Sequence, residues 1–352
     1  MNFLHSKYDH LIPYTPGEQP KATDFIKLNT NESPYEPAPS VMDAVKAAAH
    51  SLNRYSDTAA RIVVEPLARQ LGIKAEQVIL GNGSDEILSF IFQAFTEKGM
   101  AFPDVTYGFY QIYCDMYQAK ANVVPLKEDF TLDLTAYDEL EGTVIIANPN
   151  APTGLLLSCE EICTFLKRHP DRLLVVDEAY IDFGGESMVG YIEQFENLLV
   201  VGTFSKSRQL AGARLGYAAG NSQLIENLNR IKYSVNPYNI NAMTQAAGAA
   251  VLAEQAYVNR CIQETIQVRE WSIQELKQRG FEMTNSYCNF LFAKHPKLAG
   301  ETLFEALREQ KILVRWFNQP RTKDYLRISI GTKEQMERLM EAVDRILEGV
   351  NQ

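Results

Sequence analysis

The sequence predicts an α/β fold built on a mostly parallel sheet. Three features carry that expectation: seven short apolar runs, helical segments between several of them, and polar motifs at the carboxyl ends of the runs. Strands covered on both faces read as continuous apolar runs rather than alternating ones. The runs are QVILG (77–81), GMAFP (99–103), NVVPL (122–126), TVIIAN (143–148), RLLVVD (172–177), LLVVGT (198–203) and LGYAAG (215–220). Between them, Ser158 and Glu161 form a capping box ahead of ICTFLKR. EILSFIFQAF (86–95) reads as a helix with Ser84 or Asp85 as its N-cap. Repeated strand–helix alternation favours parallel pairing.

From about Ala253 the texture changes. AEQAYVNRCIQETIQVREWSIQELKQRG reads as one long helix ending at Gly280. FEMTNS and CNFLFAK follow, then a helix over ETLFEALREQK and strands at ILVRWF and YLRISIG. A last helix begins at Thr332, with Gln335 completing a capping box. The expected division is an N-terminal arm or lid (1–44), a large domain (45–255) and a small α+β domain (256–352). Pro13, Pro16, Pro20, Pro34 and Pro37 suit an irregular arm draped over the cleft.

Composition removes several function classes. The net charge is −10 over 352 residues, with no basic run, which disfavours nucleic acid. An anionic ligand must then be held by a few local Arg or Lys residues. The apolar runs are too short to span a membrane, and MNFLHSKYDHLIPY has no leader-like apolar region. Cys114, Cys159, Cys163, Cys261 and Cys288 are odd in number and form no CxxC, as in a reduced cytoplasmic protein. Five histidines without HxxxH or HExxH disfavour a metal enzyme.

In an open α/β sheet, ligands bind beyond the carboxyl ends of the strands. Four motifs fall there: GNGSDE (81–86), NPNAPTG (148–154), DEAY (177–180) and TFSKSRQLAGARLGY (203–217). GNGSDE alone is a phosphate cradle or a plain capped turn. It is no Walker loop, and Glu86 stands where GxGxxG would end. DEAY alone also matches the magnesium-binding strand of a P-loop ATPase, but no GxxxxGK[ST] precedes it. Asp177 would otherwise cap a helix or pair with an arginine.

Taken together, a lysine, an aspartate and a phosphate cradle at the strand ends of one sheet suit pyridoxal phosphate. Lys206 supplies the amine, and Asp177 pairs with the ring nitrogen. Ser84, Asp85, Ser205 and Arg214 hold the phosphate, Arg214 through a charge-assisted contact. Tyr180 donates to the ring's 3-oxygen and Tyr107 stacks on its face. Lys206 must be neutral to attack an aldehyde, so burial and Arg214 are expected to lower its pKa.

The ordered set GNGSDE, PDVTYGFY, NPNAPTG, VVDEAY, TFSKSRQLAGARLGY and YLRISIGT resembles the fold-type I pyridoxal-phosphate aminotransferases over nearly the whole chain. KLNTNESPY (27–35), NRYSD around Tyr55, VNPYNINAMTQAAG (235–248) and ILVRWFNQPRTKDYLRISIGT (312–332) narrow the likeness to the histidinol-phosphate aminotransferases. The resemblance implies a large domain with a mostly parallel seven-stranded sheet and a small α+β C-terminal domain. It implies transfer of the amino group of L-histidinol phosphate to 2-oxoglutarate, giving glutamate, in histidine biosynthesis. Lys206 then resembles the Schiff-base lysine and proton shuttle. Tyr55 resembles a residue that reaches the cofactor phosphate of the neighbouring subunit, which implies a homodimer. Arg327 resembles the arginine that grips the substrate's anionic end, and Arg315 one implicated in substrate-phosphate binding. Asn31 and Tyr14, a lid residue in PYTPGEQP, complete the expected substrate side.

The sequence departs from the family pattern in three places. Ala151 stands where many relatives have Asn at the 3-oxygen, so either Tyr180 serves alone or Asn150 compensates. Ser56 replaces the usual proline after Tyr55, and SRQ follows Lys206 in place of small residue–aromatic–Gly. Three other readings stay open: an aromatic amino-acid aminotransferase, an amino-acid-phosphate decarboxylase on the same fold, and a cofactor-free binding module.

Overall fold

A computed structural model describes residues 3–22 and 24–350, the side chain of Val350 excepted. Met1, Asn2, Thr23, Asn351 and Gln352, which fall in the expected arm and small domain, lie outside the described residues. The first strand of the chain is β1 (Ile26–Lys27). It then lays down β2 (Val78–Asn82), β3 (Met100–Pro103), β4 (Ala121–Val124), β5 (Thr143–Ala147), β6 (Leu174–Asp177), β7 (Leu198–Thr203) and β8 (Leu215–Gly220). These seven strands make one sheet in the order β2-β8-β7-β6-β5-β3-β4. Each of the seven apolar runs is a strand of it.

The pairs β3–β4, β3–β5, β5–β6 and β6–β7 are parallel. β8 runs antiparallel to both β7 and β2. The chain returns from Thr203 to Leu215 without a crossover helix, and a parallel connection would need one. β2 and β7 therefore point the same way, and the carboxyl ends of β2, β3, β5, β6 and β7 share one edge with the start of β8.

Both faces of the sheet are covered, as the apolar runs require. Ile145, Val175, Leu199 and Ala218 pack against Phe90, Ile91 and Tyr110 on one face. Val144, Ile146, Leu174, Val176 and Val200 pack against Ile162, Phe165 and Met188 on the other. Ser158 caps Cys159–Arg168 through the expected box with Glu161. The helix after β2 runs Gly83–Ala94, starting earlier than expected, and its N-cap position is Asn82. Neither Ser84 nor Asp85 caps it. Glu86 accepts the Asn82 N–H at 2.6 Å, so Ser84 and Asp85 are left in the first turn, free to face the sheet edge.

The C-terminal part begins with the long helix Gln255–Gln278. Its sheet comprises β9 (Glu282–Met283), β10 (Phe290–Lys294), β12 (Arg315–Trp316) and β13 (Leu326–Ser329), with β11 (Ile312–Leu313) lying between β10 and β12 in the chain but outside this sheet. The expected single strand ILVRWF is split at Val314. β11 pairs in parallel with β1, whereas β12 pairs antiparallel with β13. The arm thus adds a strand to this part, and Ile26 and Leu28 enter its core with Leu291 and Ile328. The helix Pro39–Ala49 runs through residue 45, because Pro39 in its first turn suits a helix start that the expected boundary cuts.

Two glycines permit the close approach at the sheet edge. Gly83 has φ +77°, and a Cβ there would overlap the Arg214 guanidinium. A Cβ on Gly216 would overlap the backbone nitrogen of Ser84. Gly216→Ala is expected to destabilise the fold by about 1–3 kcal/mol through overpacking. Urea denaturation measures this, and an unchanged midpoint would contradict it.

Candidate active site

The shared strand edge opens into a cavity of about 290 Å3. Ser84, Asp85, Tyr107, Asp177, Tyr180, Ser205, Lys206 and Arg214 all line it, with Thr30, Glu32, Ala147 and Ala151. Each is there because a strand ends beside it. Ser84 and Asp85 follow β2, and Tyr107 follows β3. Asp177 and Tyr180 belong to the end of β6, Ser205 and Lys206 follow β7, and Arg214 precedes β8.

One end of the cavity suits an anion. The helix Gly83–Ala94 presents its N-terminal turn there, where unpaired N–H groups and the helix dipole favour negative charge. Thr203 Oγ1 bonds Ser205 Oγ at 2.9 Å and accepts the Ser205 N–H at 3.1 Å, fixing that hydroxyl. Arg214 has φ +56°. Its Nη2 lies 2.8 Å from Asp85 Oδ2, and Asp85 Oδ1 accepts the Tyr107 hydroxyl at 2.7 Å. The Asp85 carboxylate is thus an acceptor already engaged. Only its backbone N–H suits a phosphate, whereas Ser84, Ser205 and Arg214 offer side-chain donors.

The other end holds a buried carboxylate. Asp177 is 5% exposed. Tyr110 Oη donates to its Oδ2 at 2.9 Å and the Ala179 N–H to its Oδ1 at 3.2 Å. Burial is the main cause of a carboxyl raised to about 6, with a smaller rise from Asp85, against the pull of the two hydrogen bonds. None of these neighbours is a cation. An acidic group so placed is complementary to a protonated ring nitrogen, and this is the observation on which pyridoxal phosphate fits the cavity.

Lys206 lies between these ends. Its Nζ donates to the Thr30 carbonyl at 3.2 Å and sits 5.8 Å from the centre of the Tyr180 ring. Burial, with a smaller contribution from Arg327, lowers its pKa to about 8 against the pull of Glu32 and Asp85. Arg214, expected as the main charged cause, contributes less than Arg327. Burial likewise raises the Tyr180 hydroxyl to about 12, so it is a proton donor at neutral pH. Asn31 Nδ2 donates to Tyr180 Oη at 2.9 Å, which leaves the hydroxyl proton free for another acceptor.

The remaining expected residues sit outside the cavity lining. Asn150 does not take up the place of the missing asparagine. Its Nδ2 donates to Val105 O and Thr153 Oγ1, both at 2.9 Å, and its Oδ1 accepts Thr106 Oγ1 at 2.9 Å. All of its carboxamide is engaged in holding its own loop, and Ala147 and Ala151 form the wall instead. Asn31 lies between Tyr180, to which its Nδ2 donates, and Ser329 Oγ, which donates to its Oδ1 at 2.9 Å. It orients Tyr180 rather than facing the cavity. Tyr55 is 82% exposed and stacks on Tyr238 with ring centres 4.3 Å apart.

Arg315 and Arg327 face each other across β12 and β13. Arg327 Nη2 donates to Asn29 O at 3.0 Å, while its buried Nε has no partner among the described residues. Arg315 donates to Thr15 O (2.8 Å) and Pro16 O (3.2 Å). This ties down the arm that carries Tyr14, whose ring packs 4.5 Å from that of Phe109. Tyr110, Thr203, Thr30 and Ser329 had no sequence assignment. Tyr110 stands in the first turn of the helix Phe109–Tyr117, three residues after Tyr107, and the two rings meet edge-on.

A family model for aminotransferase class I and II matches residues 23–343, and the chain belongs to that family. Within it, the histidinol-phosphate aminotransferase of Chromohalobacter salexigens is 46% identical, over 96% of each chain. Histidinol-phosphate aminotransferase 1 of Pseudomonas fluorescens is 43% identical, over 96% of this chain and 97% of its own. The structure of histidinol-phosphate aminotransferase from Sinorhizobium meliloti in complex with pyridoxal-5'-phosphate superposes with a TM-score of 0.84. It is 25% identical and the match covers 92% of this chain and 91% of that one.

Asp177 titrates in the fold at about 6, against about 3.9 when unfolded. A raised carboxyl pKa costs nothing below the unfolded value, and the cost grows as pH rises through the folded value. Asp177→Asn is therefore expected to stabilise the cofactor-free protein at pH 8 by at most about 3 kcal/mol, a gain absent near pH 4. Denaturant midpoints at the two pH values check this, and equal midpoints at pH 8 would refute it.

Proposed function

We propose that the chain transfers the amino group of L-histidinol phosphate to 2-oxoglutarate with pyridoxal phosphate as cofactor. One observation carries the chemistry: a lysine of lowered pKa, a buried carboxylate with no cation beside it and an anion cradle converge on one cavity. When bound, pyridoxal phosphate supplies an aldehyde for amine exchange and a ring that draws electrons from the adjoining carbon. Lys206, held beside Tyr180, would be the amine that attacks the aldehyde and would then hold and return a proton at its Nζ. Asp177 accepts the ring N–H. Tyr180 donates to the 3-oxygen without help from Asn150, and Tyr107 covers the ring face. Ser84, Ser205, Arg214 and the Asp85 N–H take the phosphate.

On the substrate side, two guanidiniums in register suit both a phosphate and a carboxylate, the groups that distinguish the two substrates. The unpartnered Arg327 Nε leaves a donor for either. The names of the relatives above support histidinol phosphate as the amino donor. Tyr14, on the arm (1–44), closes the site over Phe109; the helix Pro39–Ala49 carries the arm into the large domain (45–255), and β1 joins it to the small one (256–352). A cytoplasmic biosynthetic role is part of this proposal; no described helix is long and apolar enough to cross a membrane.

The catalytic unit is a homodimer with shared sites. Tyr55 lies outside its own cavity, yet its segment is firmly anchored. Ser56 Oγ donates to Ile240 O, Gln245 to Asp57 O and Lys232 to Thr58 O, at 2.6, 2.8 and 3.0 Å. A fixed, outward-facing tyrosine suits the phosphate of a second copy.

The defining experiment is a half-reaction without keto acid. Protein loaded with pyridoxal phosphate is titrated with L-histidinol phosphate, phenylalanine and threonine phosphate while visible absorbance is recorded. Histidinol phosphate is expected to bleach the cofactor band at the lowest concentration, and Lys206→Ala to show neither covalent capture nor turnover. Preference for phenylalanine would make the chain an aromatic aminotransferase. Carbon dioxide release from threonine phosphate would make it a decarboxylase. The shared site is tested by mixing Lys206→Ala and Tyr55→Ala chains. Subunit exchange is expected to restore activity above that of either alone, and no recovery would argue for independent sites.

A further inference from the structure

We propose that Tyr110 is a positioning residue of the reaction, whose hydroxyl fixes the plane of the Asp177 carboxylate toward the cofactor ring nitrogen. This rests on the pyridoxal-phosphate reading above and adds a residue to it.

Tyr110 is 0% exposed, in the first turn of the helix Phe109–Tyr117. Its ring is wedged edge-on against Tyr107 (5.8 Å) and Phe102 (6.0 Å) and stacked along Phe92 (6.3 Å). The hydroxyl therefore cannot swing away from Asp177 Oδ2, 2.9 Å distant. The Ala179 N–H holds the other oxygen at 3.2 Å. With one neutral donor on each oxygen, rotation of the carboxylate is stopped and a lone pair on each remains for a further donor. A hydrogen bond donated to a carboxylate also favours its ionised form. The other ionisable groups that influence Asp177 or are influenced by it are Asp85, Glu178, Tyr113 and Tyr180. No cation stands among them, so Tyr110 is the one side chain among the described residues that opposes the burial of this charge.

The same residue links both ends of the cavity. Tyr107, in edge contact with Tyr110, donates to Asp85, and Asp85 pairs with Arg214. One helix start thus orients the ring-nitrogen partner, the stacking ring and, through Asp85, the arginine of the anion cradle.

Tyr110→Phe retains every ring contact and removes only the hydroxyl. Single-turnover rates with L-histidinol phosphate are compared in wild type, Tyr110→Phe, Asp177→Asn and the double variant. Loss of a hydrogen bond to a charged group is expected to slow Tyr110→Phe about tenfold with KM changed less than about twofold. In the Asp177→Asn background the same change is expected to cost nothing further, because Tyr110 acts through the carboxylate. A wild-type rate for Tyr110→Phe, or an equal loss in both backgrounds, overturns the inference and leaves the cofactor reading intact. A wild-type protein that forms no visible band with pyridoxal phosphate overturns both.

Discussion

A carboxylate buried at the end of an apolar strand is the constraint around which the site is arranged. β6 supplies Leu174, Val175 and Val176, all inaccessible, and then Asp177. A charge there has lost its water and must find donors. Glu178 follows immediately and points to the opposite side, as alternation along a strand requires. Ser187 Oγ and the Met188 N–H hold it at 2.5 and 2.6 Å, and burial pushes its carboxyl up to about 8. Two adjacent acids thus do different work. Asp177 faces the cavity, and Glu178 pins the turn at Met188–Tyr191 beneath the sheet edge.

The cations around the cavity are restrained mostly by carbonyls. Lys206 donates to Thr30, Arg327 to Asn29, and Arg315 to Thr15 and Pro16. Of the site's arginines, Arg214 has a carboxylate partner in Asp85. Carbonyls orient a cation without cancelling its charge. Arg327 therefore keeps a charge that helps disfavour protonation of Lys206, against the pull of Glu32 and Asp85. The cavity lining itself sets Glu32, Asp85 and Asp177 beside Lys206 and Arg214, in a chain whose net charge is −10.

Much of this was legible in the sequence, for reasons that differ by residue. The seven strands were readable because burial on both faces demands unbroken apolar runs. The residues at their ends followed from the parallel topology, which collects Ser84, Asp177 and Lys206 at one edge. Less legible were features set by distant partners. ILVRWF gives no sign that Val314 divides it between the arm and β13. Asn150 lay one position from a family asparagine, but its loop needs three hydrogen bonds that only the folded turn reveals. Asn31 was legible as part of a motif and not as the partner of Tyr180, 149 residues away. Tyr110 was hidden for a related reason, since nothing local marks a buried tyrosine as facing Asp177.

The contact between Arg315 and the arm has a consequence for how the protein can vary. Arg315 recognises Thr15 and Pro16 by their carbonyl oxygens, which every residue possesses. Further along, Arg308 pairs with the Glu18 carboxylate at 2.9 Å, and Asn29 donates to the Glu18 carbonyl at 2.8 Å. Side-chain changes at positions 15 and 16 leave the first contact untouched. Adding or deleting one residue between 16 and 18 would move the carbonyls out of register with the Glu18 clasp. The arm is therefore a segment whose spelling can drift while its length is held.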